Sequence, residues 1–342
     1  MDFSRPILAI ESSCDETAVA ILQPPDQLLT SLVASQVDIH ARFGGVVPEV
    51  ASRNHLLAIK PLFDRALSEA DIKPNELGAV VATAGPGLAP ALLVGASFAK
   101  GVALGLNIPY LAVNHLEGHL LSPFFGKEKI PHHLALLVSG GHTQLTEVIS
   151  AGKYHSLGAT ADDAAGEAFD KIAKLLGLPY PGGVEIDRLA RKGDSQRYQF
   201  PKAFLEKGNL NFSFSGLKTS VRYFLERENF GEEELKKNLP DICASVQEAI
   251  VGVLVEKARR AAEQEQLEII GVSGGVACNS ALQVQLQELC QKKGWQLYFP
   301  PASLTTDNAA MIAFAAMHHL QNSEQSSVIQ EITPQWSLGR ES

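Results

Sequence analysis

Pro6-Ile-Leu-Ala-Ile-Glu-Ser-Ser-Cys-Asp-Glu-Thr-Ala-Val-Ala-Ile-Leu22 reads as one apolar run, a short polar break and a second apolar run. Runs of that length bounded by turn residues predict a buried strand, a tight turn and another strand. The same pattern returns at His133-Leu-Ala-Leu-Leu-Val-Ser-Gly-Gly-His-Thr-Gln-Leu-Thr-Glu-Val-Ile149. Later in each half comes a strand, a glycine turn and a helix: 77–87 leads into 89–106, and 267–275 leads into 278–292. Two copies of one α/β unit are therefore expected. Hairpins make mixed sheets, and no Gly-x-Gly-x-x-Gly follows the first strand, so a Rossmann domain fits poorly.

A chain of 342 residues with 45% hydrophobic content can bury two ordinary cores. Cys14, Cys243, Cys278 and Cys290 are far apart and show no Cys-x-x-Cys pairing, which suits a reducing, cytoplasmic setting. The start has too short an apolar run before Glu11 for a signal peptide. The apolar region 79–106 is broken by Gly85-Pro86-Gly87 and carries Lys100, so no membrane span is expected there. Net charge is −9, but between Lys171 and Arg227 eleven bases, among them Arg188, Arg191, Lys192 and Lys207, face five acids. That leaves this segment at +6 and the remainder at −15; a local basic surface is one reading, and solvated helix faces with no ligand are the commoner outcome for so modest an excess.

Ser139-Gly-Gly141 and Ser273-Gly-Gly275 each end an apolar strand with residues that let backbone amides approach an anion. Neither is a Walker motif, and a cleft between the two units would bring both to one ligand. Asn279 stands at the start of the following helix, where it could cap the helix or meet that ligand.

In His115-Leu-Glu-Gly-His119 two histidines four apart share one helix face and can clasp one metal ion. Glu117 sits roughly 200° around the helix from His115, so it cannot be the base of a zincin metalloprotease, where glutamate follows the first histidine directly.

The segments 10–17, 44–49, 84–88, His115–His119, 138–144, 162–171, 180–183, 212–218 and 306–308 together resemble one family. It is the bacterial tRNA threonylcarbamoyladenosine transferases, the TsaD type, once described as sialoglycoprotein endopeptidases. The motifs run in order over nearly the whole chain. The resemblance implies a duplicated α/β fold of the actin, hexokinase and Hsp70 kind (ASKHA), two lobes with a nucleotide cleft between them. Residues 1–114, joined by 307–342, would make the N-terminal lobe. Residues 115–306 would make the C-terminal lobe, with a helical insertion around 164–264.

The resemblance also implies a reaction. The threonylcarbamoyl group of threonylcarbamoyl-AMP passes to the N6 amine of the adenosine next to the anticodon, in tRNAs reading codons that begin with A, and AMP leaves. It implies a metal held by His115, His119 and Asp307, ferrous iron first and zinc as the alternative, acting as a Lewis acid without redox chemistry. It places Leu137, Val138, Ser139, Gly140 and Gly141 along the threonylcarbamoyl and phosphate region, and Asp170, Gly183, Asp187 and Asn279 around the nucleoside. Glu11 faces the cleft as a candidate catalytic residue that could orient a water, the metal or the amine, or as a structural hydrogen bond at the turn. Lys171 could pair with Asp170 or with phosphate. Asp307 could also cap the helix that follows it. Implied partners are tRNA, a paralogous TsaB-type scaffold and a TsaE-type ATPase, with a TsaC-type synthase supplying the adenylate. The loop from Gly193 to Asn211 and the acidic stretch Glu226–Glu234 read as the least constrained parts. A kinase of the same superfold and a noncatalytic scaffold paralogue are the rival readings; the histidine pair disfavours both.

Overall fold

The computed structural model describes residues 4–203, 206 and 208–338. It divides into two compact units. One takes in the chain up to Pro131, Ile149–Tyr154 and the chain from Pro300; the other is His132–Val148 with His155–Phe299.

The first unit is built on a five-stranded sheet. Its strands are β1 (Ile7–Glu11), β2 (Glu16–Gln23), β3 (Gln27–Ser35), β4 (Ala79–Gly85) and β5 (Tyr110–Asn114), in the order β3-β2-β1-β4-β5. β2 runs antiparallel to β1 and β3, while β4 runs parallel to β1 and β5. Helices α1 (Val37–Ala41), α2 (Pro48–Glu69), α3 (Ala89–Leu106) and α4 (His115–Leu121) connect or follow these strands. β1, β4 and β5 are buried at every position, as apolar strands covered on both faces should be. Leu8, Ile10, Val19, Ile21, Val80 and Ala82 share one core cluster with Ile59 and Phe63 of α2 and Ala99 of α3. Because side chains alternate along a strand, Ala9 and Glu11 point to the opposite face.

The second unit repeats this order. Strands β6 (His133–Val138), β7 (Thr143–Ser150), β8 (Lys153–Ala159), β9 (Ile269–Ser273) and β10 (Gln296–Tyr298) lie as β10-β9-β6-β7-β8. Again the hairpin partner is antiparallel, and the strands reached through helices are parallel. Between β8 and β9 come α5 (Ala165–Leu175), α6 (Gly182–Ala190), α7 (Ser215–Glu228) and α8 (Glu232–Gln264), and α9 (Ser280–Lys293) joins β9 to β10. The chain then returns to the first unit as α10 (Ala309–Gln321), which packs on β1, β2 and α4 and is buried around nearly its whole circumference. The duplication expected from the two hairpins is present in full, including third strands β3 and β8 that the sequence reading did not single out.

Three differences from expectation have physical causes. Helix α4 begins at His115, the residue at which the resemblance starts the C-terminal lobe. It packs against α10 and belongs to the first unit, which runs to Pro131. The acidic stretch is ordered: Glu232, Glu233 and Glu234 form the first turn of α8, where carboxylates favour the positive end of the helix dipole. Asn209 and Asn211, at the end of the stretch read as least constrained, are held by Lys257 of α8. This fully buried ammonium donates to the carbonyls of Asn209 (3.1 Å) and Asn211, and burial pulls its pKa down to about 8. Lys207 of the basic segment lies outside the described residues. By length and composition alone α3 and α8 could cross a membrane. The apolar faces of α8, with Ile242, Val246, Ile250 and Leu254, are buried in the core of the second unit, and α3 lies on β4 and α2.

Candidate metal centre and nucleotide-binding residues

In the first unit α4 starts directly at the end of β5, with the Asn114 side chain accepting from the amide of Leu116 as N-cap. That places His115 and His119 one above the other, ring centroids 4.8 Å apart and planes at 89°. Asp307 reaches them from far along the chain: its Oδ1 is 3.0 Å from His119 Nε2 and 3.7 Å from His115 Nε2. The expected alternative, that Asp307 caps α10, is not what the structure uses. Asn308 is the cap, its Oδ1 accepting from the amide of Met311 at 2.8 Å, and the Asp307 carboxylate faces the histidines.

Glu11 lies behind His115. Its Oε2 is 3.1 Å from His115 Nδ1 and accepts from the Thr83 hydroxyl at 2.5 Å, while its Oε1 accepts from the amide of Ser13 at 2.5 Å. The Ser13 hydroxyl is also 3.1 Å from His115 Nδ1. With Nδ1 so occupied, His115 presents Nε2 to Asp307. Ser13 and Thr83 are therefore part of the site. The sequence reading did not single them out, because a lone hydroxyl after a strand or within one gives no signal of its own.

The donor set fits one small divalent ion. One nitrogen from each histidine and one carboxylate oxygen lie within 4.8 Å of one another, and ligands about 2.1 Å from a tetrahedral ion stand roughly 3.4 Å apart. The charge pattern agrees. Burial opposes the charged form of His115, yet Glu11 and Asp307 raise its pKa to about 9. Burial pushes the Glu16 carboxyl and the Cys14 thiol upward, and Asp15 and Asp307 push them further. Glu11 is driven the other way: burial would raise its pKa, but the neighbouring His115 outweighs that and lowers it. Beyond burial, the Asp15 and Asp307 carboxylates contribute to the upward shifts of Glu16 and Cys14, and a cation at His115, His119 and Asp307 would offset that negative charge.

Glu117 is turned away from these ligands. Its carboxylate accepts from the Tyr154 hydroxyl at 2.5 Å and the Gly152 amide at 3.2 Å, and meets His319 Nε2 at 2.8 Å.

The nucleotide candidates all lie in the second unit. Leu137 and Val138 are buried within β6, paired with Gln144 and Thr143 of β7, so the exposed backbone of that segment is Gly140 and Gly141. The two glycine turns end neighbouring parallel strands, β6 and β9, of this same unit. Gly274 is required there: its φ is +88°, and a Cβ would come within 2.4 Å of the Val138 carbonyl oxygen. Asp170 Oδ1 accepts from the amides of Gly182 (2.7 Å) and Gly183 (3.3 Å), fixing the start of α6. Burial nonetheless raises the Asp170 pKa, because those two bonds do not fully compensate lost solvation. Asp187, on α6, accepts through Oδ1 from the Ser280 hydroxyl (2.6 Å) and through Oδ2 from Arg191 (2.6 Å). Asn279 is the N-cap of α9, accepting from Leu282 at 3.1 Å and donating to Gln247 at 2.6 Å. Asn279 thus takes the capping role, which leaves its ligand role a matter for the proposal below. Lys171 pairs with Asp163 (2.7 Å) and Glu167 (2.9 Å), and not with Asp170. Asp162 accepts from the hydroxyls of Ser213 and Ser215 and the amide of Phe214, which joins two of the sequence motifs at the start of α7.

Residues 27–314 match the family model for tRNA N6-adenosine threonylcarbamoyltransferase, TsaD. The chain belongs to this family. A family member from Anaeromyxobacter sp. (strain Fw109-5) is 50% identical over 335 residues, covering 97% of this chain and 99% of the relative. Another, from Geobacter sulfurreducens, is 49% identical over 332 residues, covering 97% of each. Both are named tRNA N6-adenosine threonylcarbamoyltransferase. Among solved structures, T. kodakarensis HypF matches with a TM-score of 0.64 at 13% identity, over 94% of this chain and 49% of that one. That likeness concerns the fold alone, and it agrees with the ASKHA architecture that the repeated strand order displays.

Proposed function

We propose that the protein transfers the threonylcarbamoyl group of threonylcarbamoyl-AMP to the N6 amine of the adenosine next to the anticodon, in tRNAs reading codons that begin with A, with release of AMP. The observation that carries this reading is membership of the transferase family over nearly the whole chain, in a molecule whose His115, His119 and Asp307 converge as that chemistry needs. The adenine amine is a poor nucleophile because its lone pair is delocalised into the ring, so the acyl carbon must be made more electrophilic and the reactants held together. His115, His119 and Asp307 hold one metal ion, ferrous iron in preference to zinc, which when bound supplies Lewis-acid polarisation of a substrate oxygen. Glu11 orients His115 through Nδ1 and does not act on substrate. Gly140 and Gly141 offer backbone amides to the anionic end of the adenylate, with Leu137, Val138 and Ser139 shaping the strand end that presents them. Asp170 has Oδ2 for a ribose hydroxyl while Oδ1 holds Gly182 and Gly183; Asp187 and Asn279 frame the nucleoside from α6 and the start of α9.

The peptidase reading lacks its base, since Glu117 is spent on Tyr154, Gly152 and His319. The remaining assignments are a cytoplasmic enzyme with no membrane association, a TsaB-type scaffold, a TsaE-type ATPase and a TsaC-type source of adenylate. Mass analysis of tRNA nucleosides from cells depleted of this protein tests the reading. Threonylcarbamoyladenosine should fall and unmodified adenosine rise at that position; an unchanged nucleoside profile would refute it.

A further inference from the structure

His115 and His119 occupy one face of α4, and Glu117 occupies the other. The Glu117 residue is only 4% exposed, yet three groups converge on its carboxylate: Tyr154 at 2.5 Å, Gly152 at 3.2 Å and His319 at 2.8 Å. His319 lies in the last turn of α10, the helix whose first residue follows directly on Asp307-Asn308. Between these ends α4 and α10 nearly touch. A Cβ at Gly118 would stand 2.8 Å from Ile312 and 3.0 Å from Met311. The carboxylate thus clamps together the two helices that set the positions of all three donor atoms.

We infer that Glu117 is a positioning residue which, through Tyr154 and His319, holds His115 and His119 at the spacing from Asp307 that one metal ion requires. The inference rests on the metal reading above. An ion with ligands about 2.1 Å away tolerates little drift of its donors, and α4 is a helix of two turns whose other face would otherwise be held by packing alone. A buried carboxylate with three directional partners fixes the rotation of that helix about its axis, which apolar contacts do only loosely.

Zinc affinity of the metal-stripped full chain, measured by competition with a chromophoric chelator, tests the clamp, with thermal melting of the same samples as control. Glu117→Ala should weaken zinc binding about 10–100-fold, the range for groups that orient metal ligands. Glu117→Gln, which keeps an acceptor for Tyr154 and Gly152, should lose less. Tyr154→Phe keeps the ring and should also bind zinc several-fold more weakly; it carries the test if Glu117→Ala does not fold. Lower melting temperatures with wild-type zinc affinity in Tyr154→Phe and Glu117→Gln would overturn the inference, because that is the mark of a merely structural contact. His115→Ala separates the two readings. If it abolishes zinc binding while the clamp variants bind normally, only the clamp falls; if it binds zinc like wild type, the metal reading falls and the clamp with it.

Discussion

Asp307 Oδ1 stands 3.0 Å from His119 Nε2 although 188 residues separate them in the chain. Asn308, the next residue, caps α10 and so releases Asp307 from that duty. Neighbouring side chains thereby divide between stability and chemistry, and substitutions should separate the two. Asn308→Ala should cost about 1 kcal/mol of unfolding free energy by loss of the cap and leave metal content intact. Asp307→Ala should retain stability but lose most bound metal and nearly all transfer; His115→Ala should lose them too and, by leaving the buried Glu11 carboxylate without its imidazole partner, some stability as well. Elemental mass spectrometry on dialysed protein, paired with urea unfolding, checks both; full metal content in His115→Ala contradicts the assignment.

Glu117→Gln should keep transfer within a few-fold at saturating metal, whereas replacing the base of a zincin costs several orders of magnitude. Casein cleavage should be absent in both proteins. Metal-dependent proteolysis that disappears in Glu117→Gln would revive the peptidase reading.

The His319 pair makes stability depend on pH. Burial opposes the charged imidazole, but Glu117 and Glu324 raise its pKa to about 9 in the fold. An unfolded histidine titrates near 6.5. The stabilisation is therefore complete below about pH 6.5 and is lost as pH rises through about 9. Urea midpoints of wild type should fall over that window relative to those of His319→Gln. Parallel curves for the two proteins would show that the pair contributes nothing.

A chain of net charge −9 should hold tRNA weakly by itself, with steep salt dependence, and more tightly with its partners. Arg191 is a poor probe of this, because its guanidinium holds Asp187 at 2.6 Å and reversing it would disturb a residue proposed to frame the nucleoside. Arg188→Glu with Lys192→Glu should weaken tRNA binding and reduce the salt slope by about 2, with the metal still in place. Filter binding at two salt concentrations measures this. Tight binding by the chain alone, unchanged in the double variant, would count against a basic surface at the C-terminal end of α6.

What could be read in advance follows from how local the signals are. The hairpins 6–22 and 133–149 announce themselves because apolar runs and turn residues are adjacent in sequence, and so does the histidine pair at one helical turn. β3 and β8 escaped notice because edge strands are half-exposed and mix polar with apolar residues. Helix α8 runs through Pro240, which sequence rules treat as a break. Joining Asp307 to His119 required resemblance to a family, since no periodicity spans so long a separation. Ser13, Thr83 and the Glu117 clamp emerged only once tertiary packing placed β1, β4, α4 and α10 together.

The central claim is tested most directly by reconstitution with the purified chain, its TsaB-type and TsaE-type partners, threonylcarbamoyl-AMP and unmodified tRNA, followed by nucleoside mass spectrometry. The account predicts threonylcarbamoyladenosine and AMP in equal amounts with wild type, and neither with His115→Ala. Product formation undiminished in His115→Ala, or none with wild type when all partners are active, would contradict it.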